Sequence, residues 1–162
     1  MPLKRSLSQT LSVYSSEHFP WFKKQTYQHR HQVVVGVGGN VGDVKRRFEH
    51  LFFEIQRDKR VTLTQTSLIL KNPPFGFNEQ EDFLNTIIVI KTSMNAKVFL
   101  AFLMRLEKKF GRKRSFANAP RTLDLDIIFF DNLVMNTDKL TLPHPAWMER
   151  ESVLIPLSGL HL

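Results

Sequence analysis

The segment Pro-Arg-Thr-Leu-Asp-Leu-Asp at residues 120–126 restricts the fold of this chain more than any other stretch. The apolar residues 127–130 follow it, which predicts a buried β-strand. Strand side chains alternate between faces, so Asp124 and Asp126 share one face, about 6–7 Å apart. Two like charges there require a compensating cation. Mg²⁺ is the candidate, because it binds through one or two carboxylates and takes water and phosphate oxygens as further ligands.

Guanidinium groups lie close to this carboxylate pair along the chain. Arg121 precedes it, and Arg112 and Arg114 lie in a basic loop further upstream. Carboxylates that hold a metal beside guanidinium forks that bind phosphate favour phosphoryl transfer. A structural cluster of Arg–Asp ion pairs is the alternative interpretation.

Composition narrows the class of protein. A chain of 162 residues with 14 Phe can form one domain with a substantial core. The absence of Cys excludes disulfides, thiolate metal sites and a Cys nucleophile. The longest strongly apolar run, residues 98–104, is far shorter than the roughly 20 residues that span a bilayer. We therefore expect a soluble protein without a membrane partner.

The first 31 residues differ in character from the rest of the chain. They are Ser-rich and basic with scattered aromatic residues, and residues 1–32 hold half of the net charge of +8. No apolar core of a secretory signal is present, whereas a transit peptide would share this composition. We predict that residues 1–31 are an appended extension, docked through its aromatic side chains, and that residues 32–162 form the functional domain.

The hydrophobic pattern of the remainder predicts a ferredoxin-like α+β fold. An amphipathic helix follows the capping residue Asp43, and a second helix at residues 95–110 stops at Gly111. The order βαββαβ is typical of a sandwich with helices packed on an antiparallel-dominated sheet. The predicted strands are residues 33–37, 61–70, 84–91 and 122–130.

Two further segments allow a structural and a functional interpretation. Gly36, Gly38, Gly39 and Gly42 match neither a dinucleotide-binding fingerprint nor a P-loop, so they form a tight turn or let backbone approach a flat ligand. In the long loop at residues 72–85, aromatic and amide side chains either recognise a heterocycle or serve packing and strand capping. His144, between two prolines, either donates to a phosphate or is an ordinary loop histidine.

Taken together, these segments resemble the 6-hydroxymethyl-7,8-dihydropterin pyrophosphokinase family of folate biosynthesis. The resemblance covers about residues 33–157. Its matching stretches are residues 38–43, residues 72–76 with 82–85, Glu107 with residues 111–114, residues 120–126, residues 140–145, Arg150 and residues 153–157.

The resemblance implies a Mg²⁺-dependent transfer of pyrophosphate from ATP to the pterin hydroxymethyl group, which releases AMP. Asp124 and Asp126 would bind two Mg²⁺ ions, while Arg112 and Arg121 would act as catalytic guanidiniums. The residues expected around ATP are Glu107, Arg114, Arg121, Ile127, Lys139, Thr141, His144 and Arg150. Those expected to hold the pterin are Asn72, Pro73, Phe75, Phe83, Asn85 and Asp124.

Two hypotheses concern catalysis within this scheme. Asp126 is the expected proton acceptor, because it would lie beside the metal and the substrate hydroxyl. The loops around Phe75 and Arg112 are expected to close over the substrates and exclude water. A monomeric, cytoplasmic enzyme that binds only small molecules is expected.

Two departures from the family pattern remove expected aromatic contacts to the ligands. Residues 116–119 are Phe-Ala-Asn-Ala where the family commonly has Arg-Trp-Gly before the Pro-Arg pair. Ser152 stands where the family carries an aromatic residue, so pterin stacking would rest on Phe83 with Phe75 or Trp147, or would be weaker. Neither departure affects the carboxylate pair or the two catalytic arginines.

Two rival interpretations have distinct signatures. An RNA-recognition module shares the βαββαβ order and a basic charge, but its strand pattern of a basic residue, Gly and alternating aromatics is missing here. A catalytically inactive relative would require loss of a metal ligand or an essential Arg, and each is present.

Overall fold

A computed structural model describes residues 4–23, 29–74, 79–112 and 120–162. The strands are β1 (Lys4–Ser6), β2 (Ser12–Tyr14), β3 (Trp21–Phe22), β4 (His31–Gly39), β5 (Val61–Thr66), β6 (Ile69–Asn72), β7 (Phe83–Thr92), β8 (Asp124–Phe130), β9 (Met135–Asn136) and β10 (Thr141–Leu142). The helices are α1 (Val44–Gln56), α2 (Ala96–Lys109) and α3 (Glu151–Ser158), preceded by a 3₁₀ turn at Trp147–Glu149. Within these described ranges, no helix is both long and apolar enough to cross a membrane.

The predicted ferredoxin-like fold is confirmed. The core order is β4, α1, β5 and β6, β7, α2 and β8, and the sheet runs β1-β2-β6-β7-β4-β8 with antiparallel pairing between neighbours. β5 also pairs with β7, beyond the part of β7 that pairs with β6. The central pair β4–β7 keeps one continuous register from His31 opposite Thr92 to Gly39 opposite Leu84.

The predicted strand at residues 61–70 is two strands separated by Ser67 and Leu68. The Ser67 backbone N–H donates to Ile87 O (2.9 Å), and the Ile87 N–H donates to Ser67 Oγ (2.8 Å). The Ser67 hydroxyl also bonds the Thr86 hydroxyl at 2.9 Å. These contacts replace the regular ladder, so the chain bends and pairs with two successive parts of β7.

The two faces of the sheet carry different helices. Val33, Val35 and Val37 of β4 pack in the main core with the apolar sides of α1 and α2. Val34, on the opposite face, belongs to a second cluster to which α3 contributes Val153. This alternation assigns the even-numbered side chains of β4 to the face that carries α3.

The helix ends agree with the sequence signals. The Asp43 carboxylate accepts from the Arg46 N–H (3.2 Å), and the Asn95 side chain accepts from the Val98 N–H (2.9 Å). Gly111 adopts φ 82° just past α2, a conformation that glycine reaches without a Cβ clash.

Residues 4–23 pack onto the rest of the fold. β1 and β2 continue the sheet beyond β6, and β3 pairs with β5. Phe19 is 1% exposed within the main core. The His18 ring stacks on Phe52 with centroids 4.2 Å apart, and its Nδ1 lies 2.6 Å from Glu49 Oε1.

Candidate active site

Three adjacent strands bring polar groups to the sheet face that carries α3. Asp126 and Asp124 of β8 lie opposite Gly36 and Gly38 of β4. Asn85 of β7 lies opposite Gly38 on the other side. Residues directly opposite each other in a sheet share a face, so the predicted same-face carboxylate pair stands beside two positions without side chains.

Two cavities meet at this carboxylate pair. The larger cavity, with a volume of about 730 Å³, lies between α2, β8 and the β10 region. The narrower cavity, with a volume of about 80 Å³, lies between β4, β7, β8 and α3. The residues that line both cavities are Arg121, Asp124, Asp126, His144 and Arg150.

Asp124 is held by two guanidinium groups. Arg112 Nη1 donates to Asp124 Oδ1 and to Glu107 Oε2, each at 2.5 Å. Arg121 Nη1 donates to Asp124 Oδ2 at 3.0 Å. Glu107 Oε2 also accepts the Leu125 N–H at 2.8 Å, which ties the end of α2 to β8. The alternative of an ion-pair cluster is therefore realised, and it lies on the wall of the larger cavity.

The negative charges of the carboxylates outweigh the positive charges of these arginines around Asp126. Burial raises the pKa of Asp126 to about 7, and the negative charges of Asp124 and Glu107 add to the effect. Burial also raises the pKa of Glu107, although the Leu125 N–H and Arg112 oppose it. Ionised Asp126 therefore lacks sufficient positive charge from its surroundings.

This donor set fits a hard divalent cation. Two carboxylates share one face beside an open cavity, and oxygen ligands with room for water and phosphate are what Mg²⁺ takes. The shortage of positive charge around Asp126 is what such an ion would offset. Asp124 and Asp126 are thus the residues that could hold Mg²⁺.

The narrower cavity combines amide groups with an aromatic wall. Asn85 Nδ2 donates to Asn72 Oδ1 at 2.6 Å, and Phe83 lies two residues earlier on the same face of β7. A Cβ on Gly38 would stand 2.5 Å from Asn85 Oδ1, so glycine leaves room for that carboxamide. Ser152 of α3 also lines this cavity.

His144 presents a defined edge to both cavities. Its Nδ1 accepts the Ala146 N–H at 3.1 Å, which leaves the proton of the neutral ring on Nε2. Burial lowers the pKa of His144, and the charge of Arg150 lowers it further. The ring is therefore a neutral hydrogen-bond donor at neutral pH.

Most of the predicted site residues come together. The larger cavity is lined by the predicted ATP residues Glu107, Arg121, Ile127, Lys139, Thr141, His144 and Arg150, and by Arg112. The narrower cavity is lined by the predicted pterin residues Asn72, Phe83, Asn85 and Asp124. Pro73 is exposed and lines neither cavity, while Phe75 and Arg114 fall outside the described residues.

Sequence reasoning missed other lining residues. Leu100 and Met104 of α2 line the larger cavity, and their spacing of four residues beside the buried stripe was the available signal. Trp147, suggested as a pterin-stacking residue, contacts Phe129 with ring centroids 4.9 Å apart and lines neither cavity.

Comparison of the sequence with known proteins shows the family to which this chain belongs. The sequence profile of the 7,8-dihydro-6-hydroxymethylpterin-pyrophosphokinase family matches residues 34–161. A 2-amino-4-hydroxy-6-hydroxymethyldihydropteridine pyrophosphokinase from Campylobacter jejuni is 41% identical over 142 residues, covering 88% of this chain and 90% of that protein. The protein of the same name from Helicobacter pylori is 38% identical over 148 residues, covering 90% and 91%. The one from Bacillus subtilis is 36% identical over 124 residues, covering 76% and 74%. This chain therefore belongs to the 7,8-dihydro-6-hydroxymethylpterin-pyrophosphokinase family.

Proposed function

We propose that this chain transfers the terminal pyrophosphoryl group of ATP to the hydroxymethyl oxygen of 6-hydroxymethyl-7,8-dihydropterin, releasing AMP, in folate biosynthesis. The observation that carries the proposal is the meeting of two unlike cavities at Asp124 and Asp126. Transfer between two substrates requires that their reacting ends lie in one place, and this junction provides it.

The larger cavity suits ATP. Its basic side chains can donate hydrogen bonds to phosphate oxygens, and Leu100 and Met104 add apolar surface for a base. In this assignment Arg112 and Arg121 bind the transferred phosphates and stabilise the charge that develops on them. The ATP residues proposed are Glu107, Arg114, Arg121, Ile127, Lys139, Thr141, His144 and Arg150.

The narrower cavity suits the pterin. Asn72 and Asn85 offer carboxamide donors and acceptors to a heterocycle edge, and Phe83 offers a stacking face. Pro73 and Phe75 complete the proposed set, together with Asp124, which lines both cavities.

Asp124 and Asp126 would hold two Mg²⁺ ions. These ions would neutralise negative charge along the triphosphate. Asp126 is the proposed acceptor of the hydroxymethyl proton, because it lies where the two cavities meet, beside the proposed metal position. Asp124 keeps its position through the two arginines. We further propose a monomeric enzyme that acts in the cytoplasm.

AMP formation tests this function. The purified protein is incubated with ATP and Mg²⁺, with and without the pterin, and AMP is quantified by chromatography. We expect AMP only when ATP, Mg²⁺ and pterin are all present. Activity that persists in excess EDTA would rule out the metal requirement, and AMP formed equally without pterin would rule out the acceptor.

Two matched variants locate the chemistry. Asp124→Asn should reduce AMP formation at least about 10³-fold. The variant would lose a ligand of the Mg²⁺ that neutralises charge on the phosphoryl groups. Asp58→Asn removes a carboxylate whose ion pair with the exposed Arg60 lies outside both cavities, so its rate should match the parent. Equal rates for the two variants would contradict the assignment of Asp124.

A further inference from the structure

Asn40, between β4 and α1, has a carboxamide whose hydrogen-bonding groups all face other segments. Its Oδ1 accepts the Arg121 N–H at 2.9 Å. Its Nδ2 donates to Gln80 Oε1 at 2.8 Å and to Glu81 O at 2.9 Å. The Glu81 carbonyl can only accept, which fixes the orientation of the carboxamide. Asn40 is 7% exposed, so these bonds are largely sheltered from water.

The backbone around Asn40 strengthens the contact with the segment that carries Arg121. The Asn40 N–H donates to Arg121 O at 2.9 Å, so the two residues exchange a pair of hydrogen bonds. A Cβ on Gly39 would lie 2.7 Å from Thr122 O, which shows how closely the two backbones approach. Arg47 Nη1 bridges Val41 O (2.6 Å) and Thr122 O (2.9 Å).

The two segments joined by Asn40 form opposite parts of the proposed reaction site. Arg121 contacts Asp124 and lines both cavities. Gln80 and Glu81 lead directly into β7, where Phe83 and Asn85 line the narrower cavity. The buried side chain of Asn40 therefore connects Arg121 to the segment that carries Phe83 and Asn85. These two residues are called the pterin wall below.

We infer that Asn40 is a positioning residue that holds Arg121 in register with the pterin wall, an inference that rests on the proposed function. A displacement of about 1 Å between reacting groups can cost about 100-fold in rate. Asn40 itself lines neither cavity and reaches the site only through the residues that it bonds, so its loss should affect turnover far more than the affinity for ATP.

Two substitutions separate the two halves of this contact. Asn40→Ala removes the side-chain hydrogen bonds to both segments and leaves only the backbone bond from its N–H to Arg121 O. Asn40→Asp keeps an oxygen for the Arg121 N–H but turns the other oxygen toward the Glu81 carbonyl, which it repels. Amide hydrogen exchange should therefore accelerate at residues 79–84 and 120–124 in Asn40→Ala, and only at residues 79–84 in Asn40→Asp. Exchange in β5, which lies outside the contact, serves as the internal control.

Kinetics provide the readout that a merely structural role would not change. We expect Asn40→Ala to lower kcat about 100-fold while the Kd for a non-hydrolysable ATP analogue changes less than about threefold, with partial recovery of kcat in Asn40→Asp. In an Arg121→Ala background, Asn40→Ala should add little further loss, because the residue that it positions is gone. If Asn40→Ala lowers kcat in the Arg121→Ala background by the same factor as in the parent protein, the inference is overturned.

The outcomes for Asn40 and for the proposed function are distinguishable. A parent protein that forms no AMP would overturn the function, while amide exchange, which needs no turnover, would still test the contact. Unchanged exchange at residues 120–124 in Asn40→Ala would overturn the positioning role even if the parent enzyme is active.

Discussion

Arg112 lies between two carboxylates at the edge of the larger cavity. Its side chain is 11% exposed, and those of Glu107 and Asp124 are 7% and 19% exposed. Burial would lower the pKa of Arg112, but Asp124 and then Glu107 outweigh burial and raise it. The guanidinium therefore stays charged and compensates two sheltered anions, which gives it a role in stability as well as in the proposed catalysis.

Arg112→Ala should be destabilising in the absence of metal. It leaves Glu107 and Asp124 without this partner, and breaking a buried ion pair costs about 3 kcal/mol. Urea unfolding at pH 7 in EDTA measures the change. Lys108→Ala, on the exposed side of α2, should shift stability by less than about 0.5 kcal/mol. Equal stability of the two variants would mean that the cluster contributes nothing to folding.

At the scale of single residues, the sequence predicts that Asp124 and Asp126 share a face of the sheet. The alternation of side chains along a strand is a local property. The sequence does not predict that Arg112 joins Asp124 to Glu107, because that contact depends on where α2 ends relative to β8. The role of Asn40 is equally hidden, since its partners are 40 and 81 residues away along the chain.

At the scale of secondary-structure elements, the N-terminal segment contributes to the packing of the core. Phe19 contacts Phe48 and Phe52 of α1, with ring centroids 5.8 Å and 6.3 Å apart. We propose that residues 1–31 form an extension of a domain at residues 32–162. We infer that the extension is needed for the full stability of the folded protein.

Phe19→Ala should cost about 3–5 kcal/mol of unfolding free energy, because it empties a fully buried site. Phe22→Ala, at a side chain in the same segment that is 64% exposed, is the matched control and should cost less than about 1 kcal/mol. Chemical denaturation monitored by circular dichroism compares them. Similar small losses for both would show that the segment does not stabilise the fold.

Asp131 joins the start of β4 to the end of β8. Its carboxylate accepts the Gln32 N–H and lies near His31 Nδ1, each at 2.7 Å. Burial opposes ionisation, but the Gln32 N–H and His31 outweigh it and lower the pKa of Asp131. The group therefore keeps its charge to a lower pH in the folded state than in the unfolded chain, and stabilises the fold above the unfolded pKa.

Asp131→Asn should therefore be less stable than the parent at pH 7, by about 0.5 kcal/mol because the side chain is 41% exposed. Asn tolerates the left-handed backbone at this position, where φ is 48°. The difference should be present above the unfolded pKa of about 3.9 and disappear as the pH falls through the lower folded pKa. Thermal unfolding from pH 7 to pH 2.5 follows it. A difference that grows on acidification would contradict this account.

Hydrophobic periodicity predicts the core elements but not the edges of the sheet. The apolar stripe and cap of α1 are local signals, and both are present in the structure. The break at Ser67 depends on its contact with Thr86, nineteen residues further along the chain. β1, β2 and β3 are short, and their pairing depends on other segments, because β2 pairs with β6, β1 pairs with β2 and β3 pairs with β5. α3 contains Pro156 in its interior, a position at which a proline argues against a helix.

Across the whole molecule, the charge distribution favours polyanionic small molecules over RNA. The net charge is +8, yet the cavity junction contains Asp124 and Asp126, which repel an extended phosphate backbone unless a metal offsets them. An RNA-binding sheet would present aromatic residues in their place. We therefore expect steeply salt-dependent RNA binding to be absent at physiological ionic strength.

The fate of the ATP phosphorus atoms tests the central claim most directly. A reaction containing the purified protein, ATP, Mg²⁺ and 6-hydroxymethyl-7,8-dihydropterin is followed by ³¹P NMR until the limiting substrate is consumed. The account predicts AMP and a pterin diphosphate in equal amounts. The two terminal phosphorus atoms of ATP would both be found in the diphosphate group of the pterin product. ADP with a pterin monophosphate, or free phosphate without any phosphorylated pterin, would contradict it.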